Sequence, residues 1–132
     1  METEYCKEKA MQIKESAENY LETILVLKKK KGYVRSIDIA NEMHFTKPSV
    51  SVAMKHFREE GYITTAEDGT ITLTEKGQQI AERVYDRHQT IAACLMRLGV
   101  SEETAYEDSC KIEHDISEET FNKLKAFLEE KE

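Results

Sequence analysis

The chain has 132 residues, of which 39% are hydrophobic and 34% charged, with a single proline and a formal net charge of −7. That length suits one compact unit of ordinary size, or a small domain with an appended helical segment, and the composition excludes a disordered chain. No apolar run approaches the roughly 20 residues that span a bilayer, and the opening "METEYCKEKAMQIKES" has no apolar signal core, so the expected address is the cytoplasm with no membrane partner.

In that compartment Cys6, Cys94 and Cys110, an odd set with no repeated spacing, are expected to be thiols rather than a disulfide framework. The acidic net charge conceals an asymmetry. Residues 28–58 carry Lys28 to Lys31, Arg35, Lys47, Lys55 and Arg58 against only Asp38 and Glu42, a net of +6, whereas residues 101–132 hold eleven acids against four lysines, a net of −7. A basic working surface and an acidic end with another task are the reading this favours.

The first clear element is "AENYLETILVLKKKKGY", whose Tyr20, Leu21, Ile24, Leu25 and Leu27 make a helical stripe ending at Gly32. Ser36 is expected to cap a short helix through "IDIANEM", with Ile37, Ile39, Ala40 and Met43 as its buried side, before a tight break at His44 and Phe45. Thr46 caps the next helix, "TKPSVSVAMKHFREEG", which has Pro48 in the first turn, where a missing N–H costs nothing, and Gly61 as its stop. "YITTAEDGTITLT" then places two β-branched runs around Asp68-Gly69, a hairpin signal. Thr74 opens a long periodic segment with Ile80, Val84, His88, Ile91 and Leu95 on one face, ending near Gly99. Ser101 caps a helix through Glu113, and Ser117 caps a last one carrying Phe121, Leu124, Phe127 and Leu128.

Helix, helix, helix and hairpin in that order make a winged helix-turn-helix, so the expected partner is double-stranded DNA. The residues expected to face it are Arg35 and Ser36 at the start of the first helix of the pair, and Thr46, Lys47, Pro48, Ser49, Ser51, Val52 and Lys55 at the start and along the exposed side of the recognition helix. A helix pair with a merely structural role inside another small domain is the plainer alternative; the basic clustering and the hairpin together weigh against it.

The stretch "CKIEH" sets Cys110, Glu113 and His114 at i, i+3 and i+4, on one helical face with Cβ atoms about 5–6 Å apart. A solvated surface with one half-buried thiol is the ordinary explanation for such a cluster. His88 changes the balance, because an imidazole on the apolar stripe of a helix needs a partner. Asn19 and Glu22, three residues apart beside Tyr20 and Leu21, also project from an apolar side. Six metal-ligand candidates on three helices therefore have a way to converge. A hydrolytic centre would need an open coordination position, a general base and enough chain to build a substrate pocket. A small metallohydrolase is accordingly the weaker alternative, a winged-helix factor without a metal switch the stronger one, and no organic small-molecule substrate is expected.

Taken together, "ENYLETI", "VRSIDIANEM", "KPSVSVAMK", "LTEKG", "DRHQ", "LGVSEE" and "CKIEHDIS" give the chain a resemblance, over nearly its whole length, to the diphtheria toxin repressor family of metal-dependent transcriptional regulators, and in particular to its short manganese transport regulator branch. The resemblance implies a mainly α fold: a winged helix-turn-helix DNA-binding domain, residues 1–74, followed by a helical dimerisation and metal-binding domain, residues 75–132. It implies a homodimeric repressor of metal homeostasis genes rather than an enzyme. Carried over position by position, His88, Glu113 and His114 match ligands of both family branches, Glu22 matches a ligand of the manganese branch, and Cys110 matches the cysteine of the iron branch. Asn19 stands where the manganese branch has aspartate and the iron branch methionine. Ala92 and Tyr106 stand where the ancillary iron-branch site has glutamate and a second histidine. Carboxylates suit Mn(II) and a thiolate softens the site toward Fe(II), Co(II) or Zn(II), so the mixed set reads as an Fe(II) or Mn(II) site, with Zn(II) or Co(II) able to enter in vitro.

Overall fold

The computed structural model describes residues 2–130, with side chains described from Ser16 onward, so Cys6 lies outside the described side chains. In chain order the elements are α1 (Glu2–Lys31), α2 (Ser36–Met43), α3 (Lys47–Glu59), β1 (Ile63–Thr65), β2 (Ile71–Leu73), α4 (Glu75–Arg97), α5 (Glu102–Ile112) and α6 (Glu118–Glu130). The chain is mainly α, and α1 to β2 form the winged helix-turn-helix read from the sequence. It divides into two compact units, Met1–Glu82 and Arg83–Glu132, the division falling inside α4.

In the first unit, local signals end and start the helices. α1 closes on Lys28 to Lys31, cations that complement the negative end of the helix dipole, and Gly32 turns the chain at φ 86°. His44 adopts a left-handed conformation, φ 59°, at the end of α2. Thr46 caps α3 by accepting a hydrogen bond from the Ser49 N–H at 3.3 Å. Two expectations for α2 need correction. Its N-cap is Arg35 rather than Ser36, because the Asp38 carboxylate reaches back to accept from the Arg35 N–H at 2.9 Å, and Ser36 becomes the first helical residue. Ile37 is 40% exposed, so the buried side of α2 rests on Ile39 and Ala40.

Tyr20, Leu21, Ile24, Leu25 and Leu27 of α1 are buried, as are Ile39, Val50, Met54, Phe57, Ile63 and Ile71 on the later elements of this unit. The Phe57 ring meets Tyr20 edge-on at 5.7 Å and Tyr62 at 6.3 Å, arrangements that aromatic quadrupoles favour. The strands pair antiparallel with Ile63 opposite Leu73 and Thr65 opposite Ile71. The wing is also anchored outside the hairpin, since the Ile71 N–H donates to the Val34 carbonyl at 2.7 Å. Thr74 caps α4, its Oγ accepting from the Gly77 N–H at 3.2 Å while its hydroxyl donates to the Gly61 carbonyl at 2.7 Å. Gly77 is required here by close approach: a Cβ at this position would run into the Tyr62 carbonyl.

In the second unit, Val84, Ile91, Ala92, Cys94, Ala105 and Phe121 are buried. Ser101 and Ser117 cap α5 and α6 through the N–H groups of Thr104 and Thr120. Arg87 holds the turn between α5 and α6: its Nη2 donates to the carbonyls of Glu113 at 3.0 Å and Ile116 at 3.1 Å, and its guanidinium lies over the Phe121 ring at 5.1 Å. Farther along α4, the Cys94 thiol faces the Leu124 carbonyl at 3.5 Å and Arg97 donates to Leu128 O at 3.1 Å. Among the described residues no helix is long and apolar enough to cross a membrane.

Candidate metal centre and nucleic-acid face

On α3 the buried positions are Val50, Met54 and Phe57, the spacing of one helical face, and the opposite side is left to solvent. Lys47, Pro48, Ser49, Ser51, Val52 and Lys55 are all exposed, Val52 at 70%. Thr46 and Arg35 are exposed as well, and Ser36 is half-buried. The Thr46 hydroxyl does double duty: besides capping, it donates to the Ser49 Oγ at 2.8 Å and so orients that hydroxyl. Arg35 points toward the wing, with its guanidinium 4.0 Å from the Asp68 carboxylate, an exposed pair that contributes little to stability.

The second unit gathers three of the ligand candidates. A ring nitrogen of His88, on α4, and a carboxylate oxygen of Glu113, at the end of α5, lie within 4.8 Å of each other. His114 follows Glu113 directly, its Nε2 3.5 Å from the Glu113 Oε1, and these two side chains are 5% and 2% exposed. Cys110 is a half-buried free thiol one turn earlier on α5 and does not join the group at that spacing. In the first unit, Glu22 is buried on α1 at 8% exposure, and the Asn19 Oδ1 is buried without a hydrogen-bond partner among the described residues.

A buried carboxylate is costly unless a cation or hydrogen bonds balance it. Glu113 with imidazoles to either side is a nitrogen and oxygen donor set of the kind that divalent transition metals occupy. The other face of His88 is fixed by a group that sequence reading missed: its Nε2 lies 3.1 Å from the Tyr106 carbonyl, and the Tyr106 ring packs edge-on at 5.8 Å. A backbone carbonyl leaves no residue signature that could have announced it. Arg87 was missed too, although a cation one residue before a suspected ligand was a signal that could have been read.

Two family models cover the chain almost end to end. Residues 12–71 match the iron-dependent repressor N-terminal DNA-binding domain, and residues 74–132 match the iron-dependent repressor metal-binding and dimerisation domain. An uncharacterised HTH-type transcriptional regulator of Methanocaldococcus jannaschii is 36% identical over 117 residues, spanning 87% of this chain and 94% of that one. The chain belongs to the iron-dependent repressor family. This is the diphtheria toxin repressor family that the motifs resemble, a family of metal-dependent transcriptional regulators rather than enzymes. A further repressor-family relative, the HTH-type transcriptional regulator MntR of Lysinibacillus sphaericus, is 32% identical over 109 residues, which is 83% of this chain and 78% of that protein. Among solved structures, that of the manganese regulator SloR superposes with a TM-score of 0.74 at 28% identity over 86% of this chain, which spans about half, 53%, of that longer chain. As an iron-dependent repressor, the chain carries a DNA-binding domain and a domain for metal binding and dimerisation.

Proposed function

We propose that the protein is a cytoplasmic homodimeric repressor that binds double-stranded operator DNA of metal homeostasis genes when loaded with Fe(II) or Mn(II). The observation that carries this reading is the burial of Glu113 between His88 and His114 in a chain whose other unit presents an exposed, basic recognition helix. The proposed ligands are Glu22, His88, Glu113 and His114, joined by Asn19 through its otherwise unpartnered Oδ1 and by Cys110 as thiolate. When bound, the cation supplies the positive charge that balances these carboxylates and a fixed geometry among them.

The chain's own residues do the rest. Glu22 and Asn19 sit on α1, whose Leu21, Ile24 and Leu25 belong to the core beneath the recognition helix. Holding those two side chains to ligands on α4 and α5 therefore restricts α3 to one placement in each protomer. A two-fold dimer must present two recognition helices to successive major grooves about 34–36 Å apart, so restricting each placement favours DNA binding. DNA must in turn tighten metal binding by the same factor. Leu98, 75% exposed, and Phe127, 41% exposed, supply apolar surface for a partner protomer, and titratable loading of a repressor fits a metal-uptake role.

The test is a titration of operator affinity against Mn(II), Fe(II) under anaerobic conditions, and Zn(II), with duplexes selected from a random pool. Metal-dependent binding by the wild type and its loss in Glu113→Gln are expected, together with dimers by sedimentation. Metal-independent binding of equal strength in both proteins would leave a winged-helix regulator without a switch.

A further inference from the structure

His88 has two ring nitrogens that could face a metal, and contacts within the second unit distinguish them. We infer that Tyr106 is a positioning residue that selects the His88 ligand atom: its carbonyl takes the Nε2 proton in a hydrogen bond and leaves Nδ1 as the donor to metal. The inference rests on the metal-site reading above and names the atom and the residue that make it work.

A carbonyl oxygen can only accept, so the 3.1 Å contact between His88 Nε2 and Tyr106 O requires the proton to be on Nε2. A neutral imidazole carries one such proton, and its lone pair is then on Nδ1. Histidine ligands commonly donate their other ring N–H to a carbonyl or carboxylate, which fixes ring orientation and raises the basicity of the ligating nitrogen.

Tyr106 is itself held from several sides. Ser109, fully buried at 0% exposure, donates its hydroxyl to the same carbonyl at 3.0 Å. The Tyr106 hydroxyl donates to Gln89 Oε1 at 2.9 Å, on the residue next to His88, and the two rings meet at 5.8 Å with planes 73° apart. Carbonyl, ring and hydroxyl therefore grip two consecutive residues of α4 at once. A histidine held merely as packing would need only the first of these contacts. Four residues in one compact unit thus define a single imidazole orientation before any ligand arrives, and that removes an ordering cost from binding.

The experiment uses protein labelled with 15N at histidine, at a pH where imidazole is neutral, without metal and with diamagnetic Zn(II); His88→Gln assigns the resonances among the four histidines. The expected metal-free spectrum has a protonated, pyrrole-like Nε2 and a pyridine-like Nδ1, and Zn(II) shifts Nδ1 while Nε2 keeps its proton. Tyr106→Ala, which keeps the backbone carbonyl but removes the ring and hydroxyl that hold it against His88 and Gln89, should loosen that hydrogen bond, populate both tautomers and weaken Zn(II) binding by about tenfold, within the range for lost outer-shell partners. Tyr106→Phe, which keeps ring and carbonyl, should keep the single tautomer. Should Tyr106→Ala fail to fold, Ser109→Ala tests the same carbonyl, and the wild-type spectrum decides by itself. A proton on Nδ1, or a Zn(II) shift at Nε2, overturns the inference while leaving His88 a ligand. No Zn(II) effect on either nitrogen overturns the ligand role of His88 and the inference with it.

Discussion

Lys31 at the end of α1 and Asp38 in the first turn of α2 form a 2.6 Å ion pair, and the second oxygen of the same carboxylate accepts the Arg35 N–H at 2.9 Å. One side chain thus caps α2 and ties it to the helix before. The Lys31 hydrogen bond is the main cause that holds the Asp38 carboxyl below its ordinary range; burial opposes it, and the Arg35 N–H adds a lesser lowering. A carboxyl depressed in the folded state adds stability that is complete above its unfolded value, near 3.9, and is lost as pH falls through the folded one. Asp38→Asn should therefore cost about 1 kcal/mol at neutral pH, the scale of a lost cap. In urea unfolding the two proteins should converge as pH falls below the unfolded value and through the lowered folded one; a difference that persists at the acid end would mean the charge is not the cause.

Gly77 offers a test in which two rules point in opposite directions. Helix propensity alone says that alanine in a helix gains up to about 1 kcal/mol over glycine. The added Cβ would meet the Tyr62 carbonyl, a backbone group that cannot swing aside. Overpacking of this sort costs about 1–3 kcal/mol, so Gly77→Ala should lower the thermal midpoint. Gln79→Ala, at an exposed position of the same helix, is the control and should be near neutral. A raised midpoint for Gly77→Ala would show that the wing yields.

Lys55 and Val52 should separate affinity from specificity. Both are exposed on α3. Lys55→Ala should weaken binding to all duplexes alike and make the logarithmic salt dependence shallower by about one unit, the signature of a phosphate contact. Val52→Ala and Ser51→Ala should instead change preference among bases when competing duplexes are compared. Uniform losses at all three positions would sink the proposed reading face.

The two described cysteines should behave oppositely. Burial pushes the Cys94 thiol up, against a smaller opposing effect of Arg97, so it stays protonated, and Cys94→Ala should cost packing alone, seen as a lower melting temperature with unchanged metal response. Cys110 as a ligand must lose its proton on binding, so metal affinity should fall with falling pH, and Cys110→Ala should release about one proton fewer per metal bound. Cys110→Glu should move the response toward Mn(II) relative to Zn(II). Wild-type affinities for every metal in Cys110→Ala would remove the thiol from the site.

What could be read without the structure was local. Thr46, Gly61, Ser101 and Ser117 work on N–H groups or turns within a few residues of themselves, so their caps and stops stand in the sequence as they stand in the fold. Ser36 and Asp38 both offer an oxygen at the start of α2; the structure uses Asp38, whose other oxygen also pairs with Lys31, a contact made only once α1 and α2 are packed. Ile37 was misplaced for a related reason: apolar spacing says which residues share a face, and packing alone says which face is covered. His88 stood out as a polar residue on an apolar stripe, yet its approach to Glu113, its Tyr106 carbonyl and the Arg87 clamp on the following turn join residues 18 to 29 apart in the chain. Contacts across such separations are made by the packing of α5 and α6 against α4, and no periodicity within one helix encodes them.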